Sequence, residues 1–327
     1  MPRAYPSRPE SVLAKIVLAV SATFVALLLG EVAVRVLIVA LDRPPIVSSD
    51  PRAGWRPRSN LQHVVVSSDQ GRFNLTTDSE GHRTSYDPSD PAAASAPVVL
   101  LVGDSFAFGL GVGDTETFAY LLARQLPHDR IVNLGAPGYG TDQELVQLEA
   151  YFKSQPPGTV SDIVVLVFEN DFTDTLRGWD PYLGRTKPVF RIVDGRLVRE
   201  DFRLSVWDTA MDTSRLIWLV NSKWAGLRSR PASAPLQTGV GVVAACLEAM
   251  RSIAQRNGVR AHVLAHRSLG RPFVEDPTWQ RFLDLSRAID ITAAVRSDGA
   301  VGYDGVHWSA EGHRTAAAVV RRLAGLG

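Results

Sequence analysis

Four short apolar runs rich in β-branched residues constrain this chain more than anything else in it. They are VVLLV (Val98–Val102), IVNL (Ile131–Leu134), IVVLVF (Ile163–Phe168) and VRAHVL (Val259–Leu264). Runs of this length without polar alternation suit strands buried on both faces of a parallel sheet. Segments with helical period lie between and after them. Thr115–Leu126 follows Asp114, which offers an N-cap. TDQELVQLEAYFK opens on Thr141 and Glu144 at capping-box spacing. VVAACLEAMRSIAQRNG stops at Asn257-Gly258, and a last helix after Ser309 carries Ala317, Val320 and Leu323 on one face. Alternating strands and helices imply an α/β fold, a three-layer α/β/α sandwich whose ligands bind at the carboxyl ends of the strands.

The N-terminus follows other rules. Ile16–Gly30 carries no charge, and Val32–Leu41 stays apolar apart from Arg35. A spanning helix needs ~20 apolar residues. The stretch exceeds a typical signal-peptide core and no A-x-A site follows Gly30, so the reading is an uncleaved membrane anchor rather than a cleaved signal. Glu31 and Arg35, spaced i, i+4, can pair at the membrane boundary. Basic residues flank both ends (Arg3, Arg8 and Lys15 before; Arg35, Arg43 and Arg52 after), so charge alone does not orient the helix. The short head and the downstream mass place the N-terminus in the cytoplasm. The expected organisation is a head and anchor over 1–42, an upstream extension and linker over 43–97, ending in PAAASAP (Pro91–Pro97), and a main domain over 98–327.

The alternation is interrupted at about 172–239. Asp194-Gly195 between two β-like runs signals a hairpin, and Ser214–Leu227 reads as helical. This insertion holds Trp179, Trp207, Trp218 and Trp224. They either pack a small core of their own or form a lid whose indoles stack on a substrate such as sugar rings. Of these two readings, packing is preferred. With 35 Lys plus Arg against 34 Asp plus Glu, the net charge of +1 argues against nucleic acid as a partner. The single cysteine, Cys246, excludes a Cys-rich zinc site or an iron–sulfur cluster.

Chemistry-bearing residues gather where strands should end. The first run leads into Gly103-Asp104-Ser105-Phe106 and a loop with Gly109, Gly111 and Gly113. That loop lacks the G-x-G-x-x-G spacing and no Walker lysine follows, which argues against a phosphate cradle. The second run continues into NLGAPGYGT, with Asn133, Gly135, Gly138 and Gly140; the third ends in Glu169-Asn170-Asp171; Asp304-Gly305-Val306-His307 precedes the last helix. An imidazole can take the proton of a serine hydroxyl near neutral pH, and a carboxylate three residues earlier can hold the other ring N–H. Asp104 reads as a loop-shaping acceptor, His313 as a packing or surface residue, and Arg83 as a tie between the upstream region and the sheet.

GDSF, NLGAPGYGT, END and DGVH, in that order, resemble the four sequence blocks of the SGNH hydrolases, the GDSL-like esterase superfamily, from about Val98 to the C-terminus. GWRP (Gly54–Pro57) and TDSEGHRT (Thr77–Thr84) are similar to the region upstream of those blocks in membrane-anchored bacterial members. The resemblance implies a parallel flavodoxin-like sheet, Ser105 as nucleophile, His307 as general base and Asp304 as its orienting acid. It also implies an oxyanion hole from the backbone N–H groups of Ser105 and Gly138 and the Asn170 side chain. Phe168 departs from the pattern, which has glycine there. The expected activity is a cofactor- and metal-free hydrolysis of an acyl ester, on an envelope or extracellular glycan outside the cytoplasmic membrane. Acyl transfer to a polysaccharide and a catalytically weak glycan-binding role are the alternatives.

Overall fold

The structure is a computed structural model that describes residues 12–85, 96–155, 158–228, 235–269 and 276–326. In chain order the elements are helix α1 (Val12–Ala40), strands β1 (Val47–Asp50), β2 (Gly54–Pro57), β3 (Val64–Ser68), β4 (Gly71–Leu75) and β5 (Val98–Gly103), and helix α2 (Ser105–Phe108). A 3₁₀ turn at Asp114–Glu116 leads into α3 (Phe118–Gln125), then β6 (Arg130–Asn133), α4 (Thr141–Ser154), β7 (Val160–Phe168) and α5 (Asp171–Asp174). The insertion supplies β8 (Phe190–Val193), β9 (Arg196–Arg199), α6 (Val206–Thr213) and α7 (Arg215–Arg228). The chain closes with α8 (Leu236–Arg256), β10 (Arg260–His266), α9 (Pro277–Ser286), β11 (Ile289–Asp290), α10 (Thr292–Val295) and α11 (Ala310–Leu323).

Five strands form one sheet in the order β11-β10-β7-β5-β6, and every adjacent pair is parallel. Numbered within the sheet this is 2-1-3-4-5, the flavodoxin-like order. Successive residues of a strand face opposite sides, so each run feeds two cores. Val98, Leu100, Val102, Ile163, Val165 and Val167 pack with residues of α4, α8 and α9. Their neighbours Val99, Leu101, Val164, Leu166 and Phe168 pack with α3, α10 and α11. This two-sided burial makes the three layers, and it explains why the runs show no polar alternation.

Upstream residues join this body. Trp55 of β2 is fully buried in the first core, its Nε1 donates to the Pro137 carbonyl at 2.9 Å, and the Tyr139 hydroxyl donates to the Trp55 carbonyl at 2.5 Å. Residues 91–95 of the expected linker, and Arg3 and Arg8 of the head, lie outside the described residues. Helix α1 is long and apolar enough to be a membrane span or a signal sequence. Residues 12–29 are exposed throughout, and contact with the body begins at Gly30 and Glu31 and continues at Val34 and Ile38.

Two helix starts differ from the sequence expectation. Asp114 does not cap α3; Thr117 does, accepting from the Tyr120 N–H at 3.1 Å, because the Asp114 carboxylate is held by Arg83. Gly140 precedes α4 and donates its N–H to Gln143 Oε1 at 3.3 Å, while the Thr141 hydroxyl donates to Asp171 Oδ2 at 3.0 Å. The hairpin at Asp194-Gly195 forms as expected, with both residues at positive φ (50° and 73°), the geometry of a type I′ turn.

The first turn of α4 is buried and acidic. Asp142 is neutralised by Lys187, whose Nζ lies 2.7 and 2.9 Å from its two oxygens. Glu144 has no such partner: it is 1% exposed and neither oxygen is hydrogen-bonded. Burial first, then the charges of Asp104 and Asp142, push the Glu144 carboxyl well above the usual range; burial and the same neighbourhood do so for Asp171. A carboxyl whose proton affinity rises on folding stabilises the fold below its unfolded value of about 4, and loses that contribution as pH climbs toward the folded value. A tenfold strengthening of proton binding corresponds to about 1.4 kcal/mol, or roughly 3–5 °C in Tm for a domain of this size. Glu144→Gln should therefore come closest to the wild type in Tm near pH 4 and exceed it by several degrees at pH 8, read by circular dichroism of the full chain in detergent. An equal Tm difference at both pH values would contradict the neutral carboxyl.

Candidate active site

Because the sheet is parallel, the carboxyl ends of β5, β6, β7 and β10 open on one edge. At the end of β5, Asp104 caps the short helix α2, its Oδ1 accepting from the Phe106 N–H at 2.9 Å. This puts Ser105 at the first helical position, 9% exposed. Burial, followed by the charge of Asp174, raises the Asp104 carboxyl to about 7. Its part is that of the loop-shaping acceptor expected from the sequence.

Ser105 and His307 are 202 residues apart, yet Ser105 Oγ lies 2.8 Å from His307 Nε2. On the other side of the ring, His307 Nδ1 lies 2.5 Å from Asp304 Oδ2. A ring nitrogen facing a carboxylate carries the proton, so Nε2 is left as an acceptor for the serine hydroxyl. Asp304 Oδ1 accepts from the N–H groups of Val306 and His307 at 3.0 and 2.9 Å. Burial works to raise this carboxyl, but the hydrogen bonds from the His307 ring and the backbone outweigh it, and Asp304 ends below its ordinary value. It stays ionised at neutral pH. The Phe106 ring stacks on the imidazole at 4.9 Å and 29°.

The serine turn is fastened from two sides. Asn133, at the end of β6, donates from Nδ2 to the Ala107 carbonyl at 2.8 Å and accepts the Gly135 N–H at 2.9 Å. Gly135 passes so close that a Cβ would stand 2.4 Å from the Phe108 nitrogen. From upstream, the buried Arg83 guanidinium reaches the carbonyls of Phe108, Gly109, Asn74 and Val112 and the Asp114 carboxylate. Its charge also lies over the Phe73 and Phe108 rings, at 5.6 and 5.4 Å. Arg83 thus ties the hairpin β3–β4 and the glycine loop into one unit, the structural role expected of it.

Gly138 has φ +76°, the left-handed region glycine favours, and a Cβ there would meet Asp180 Oδ2 at 3.2 Å. Asn170 follows β7, and its Nδ2 donates to Asp174 Oδ2 at 2.9 Å while its Oδ1 is buried without a hydrogen bond. Asp174 is raised to about 6, chiefly by burial. The sequence reading missed Asp174 as the group that orients this amide, although its i, i+4 spacing from Asn170 was visible. Phe168 turns away from solvent into the second core, 4.4 Å from the Phe106 ring and 4.9 Å from that of His266. Its bulk supports the serine turn from beneath. His313 is buried, accepts the Phe118 N–H at Nδ1 (3.2 Å), and is lowered to about 3 by burial, so it serves packing.

A hydroxyl in line with an imidazole and an ionised carboxylate can act as a nucleophile toward a carbonyl carbon. Among the described residues, no group of His, Cys, Asp and Glu is arranged to hold a metal ion.

No protein-family model matches the sequence, and no curated protein matches it. Among solved structures the chain is similar to a lipase/acylhydrolase from Enterococcus faecalis, with 15% identity over 70% of this chain and 96% of that one, at a TM-score of 0.37. It is similar to a member of the lipolytic protein G-D-S-L family from Veillonella parvula, with 13% identity, 70% and 98% coverage and a TM-score of 0.31. It is also similar to AlinE4, an SGNH-hydrolase family esterase, with 17% identity, 69% and 94% coverage and a TM-score of 0.34. The solved structures this chain resembles are thus hydrolases and esterases of the GDSL and SGNH type, and here an apolar helix, α1, stands at the N-terminus.

Proposed function

We propose that this chain is an SGNH-type serine hydrolase that cleaves an acyl ester through a covalent intermediate on Ser105. The observation that carries the proposal is the unbroken line from Ser105 Oγ through His307 to Asp304, with contacts of 2.8 and 2.5 Å. In this reading Ser105 Oγ attacks the ester carbonyl as its proton passes to His307 Nε2, and Asp304 stabilises the imidazolium that forms. The carbonyl oxygen takes up negative charge facing the N–H groups of Ser105 and Gly138 and the Asn170 amide, whose position Asp174 fixes. His307 then protonates the departing alkoxide, leaving an acyl-serine. Water, deprotonated by His307, attacks that ester, and the acid leaves as Ser105 recovers its proton.

The substrate in this proposal is a short-chain or O-acetyl ester on an envelope or extracellular glycan. Helix α1 would hold the enzyme in the cytoplasmic membrane, with the site on its outer side. If a sugar hydroxyl replaces water in the second half-reaction, the same residues transfer the acyl group instead.

Full-length protein in detergent should hydrolyse a nitrophenyl acetate and react with a fluorophosphonate, and Ser105→Ala should abolish both. A wild type inert in both assays would sink the proposal. Acyl groups appearing on an added oligosaccharide, without free acid, would assign transfer in place of hydrolysis. Asn170→Ala should lower kcat by ~10²–10³ with little change in KM, the loss expected for one oxyanion donor. Asp304→Asn should cost about 10⁴ in kcat by reversing the imidazole tautomer, and an activity within tenfold of wild type would remove Asp304 from the mechanism.

A further inference from the structure

Two of the insertion's four tryptophans do not pack a core. Trp207 and Trp224 are 65% and 54% exposed, and Trp179 and Trp218 are only half-buried. In α7 none of the five consecutive apolar residues Leu216–Val220 is buried, and Val220 is 49% exposed. One face of α7 is held by the body: Asn221 Nδ2 donates to the Gly184 carbonyl at 3.0 Å, and Ala225, one turn later, is buried beside Gly184. Leu216, Val220 and Trp224, spaced by four residues, form a row away from that face.

The position of α7 is set by α1. Glu31 accepts from the Ser214 hydroxyl at 2.8 Å and from the N–H groups of Arg215 and Leu216, both at 2.9 Å. It thereby satisfies two of the orphan donors that begin α7. Arg35 pairs with Glu31 and donates to the Thr213 carbonyl at 3.0 Å. The Leu216 side chain lies against Gly30, where a Cβ would meet it at 3.3 Å. Residues 12–29 of α1, exposed along their whole length, measure about 27 Å at 1.5 Å per residue. The hydrocarbon core of a bilayer is ~30 Å thick. With α1 spanning, the boundary between hydrocarbon and headgroups falls at Gly30–Glu31, and α7 starts at that level.

We infer that α7 is an interfacial helix that lies on the lipid surface beside α1, its Leu216–Val220–Trp224 row in the headgroup boundary. Tryptophan favours that boundary, where the ring is apolar and the N–H remains wet. Lys223, exposed next to the row, reaches headgroup phosphates with its charge while its stem stays apolar. A lipid surface is the occupant that fits, because Leu216 of the row already meets the candidate span and the remainder extends from that contact. The inference rests on α1 spanning the membrane and is independent of the chemistry at Ser105.

The test reads local environment, not activity. Cys246 is fully buried, so a single introduced cysteine can be labelled with an environment-sensitive nitrobenzoxadiazole dye. Val220→Cys, Leu28→Cys in α1 and Leu285→Cys, 52% exposed on α9, are made in the full chain. Each is reconstituted in vesicles of phosphatidylcholine and phosphatidylglycerol. The label at 220 should emit blue-shifted light and be quenched several-fold by brominated lipid, as at 28, whereas the label at 285 should be quenched by aqueous iodide. Aqueous behaviour at 220 with bilayer behaviour at 28 overturns the inference, and aqueous behaviour at both overturns it together with the span. Trp224→Cys gives a second reading of the same row, and circular dichroism of each labelled protein confirms folding.

Discussion

The five strands of the sheet run the same way, the central ones are covered on both faces, and the rest of the molecule follows from that constraint. Parallel neighbours cannot be joined by a tight turn, so the chain crosses back over a face after each strand. Every carboxyl end then falls on one edge, where loops are free of the ladder and can carry polar groups. Ser105 leaves β5 there, Asn133 ends β6, and Asn170 follows β7. The approach to α11 brings Asp304 and His307 to the same edge from 202 residues away. Without two-sided burial these segments would have no reason to converge.

Convergence also has to be held still. The turn after Ser105 is gripped by Asn133 from the sheet side and by Arg83 from upstream, and Arg83 satisfies four carbonyls and a carboxylate while almost wholly buried. A charge so placed costs desolvation that only a complete set of partners offsets, which makes it a fixing device rather than a source of stability. Behind the serine lie Asp104, Glu144 and Asp171, whose carboxyls burial drives toward the neutral form. Protonation of Glu144 and Asp171 spares that layer the repulsion of stacked buried charges, while Asp304 stays ionised beside His307.

The sheet was legible because its central strands are buried on both sides, so β5 and residues 163–168 of β7 appear as uninterrupted apolar runs, whereas β10 carries Arg260 and His262 in its less buried half. Strand β11 was not, since two residues leave no period to read. The Asp194-Gly195 turn was visible because its backbone needs positive φ at both positions. Caps were less so: Asp114 and Thr141 are good caps in isolation, but Arg83 and Asp171 claim their side chains from elsewhere in the chain. The site shows the same division. Ser105, Asn170, Asp304 and His307 stood out by type and position at strand ends, whereas the role of Asp174 depends on side-chain direction. The packing reading of the tryptophans failed at Trp207 and Trp224 because aromatic content says how much surface must be covered and not what covers it.

One segment joins the region beside α1 to Gly138. After Asn170 and α5 the chain runs directly into residues 180–184. There Asp180 and Leu183 stand against Gly138, and Gly184 receives Asn221 and packs on Ala225 of α7. The helix proposed to lie on lipid is therefore two short contacts from Gly138, the glycine proposed for the oxyanion hole. In the proposed membrane arrangement, a flexible tether would let Ser105 take any height and tilt above the bilayer. Here Glu31 fixes the start of α7, Asn221 and Ala225 fix its inner face, and Leu183 carries that placement to Gly138. In the proposed arrangement, packing of this kind would hold the site at one distance from the membrane and favour an ester presented at that height over one free in solution.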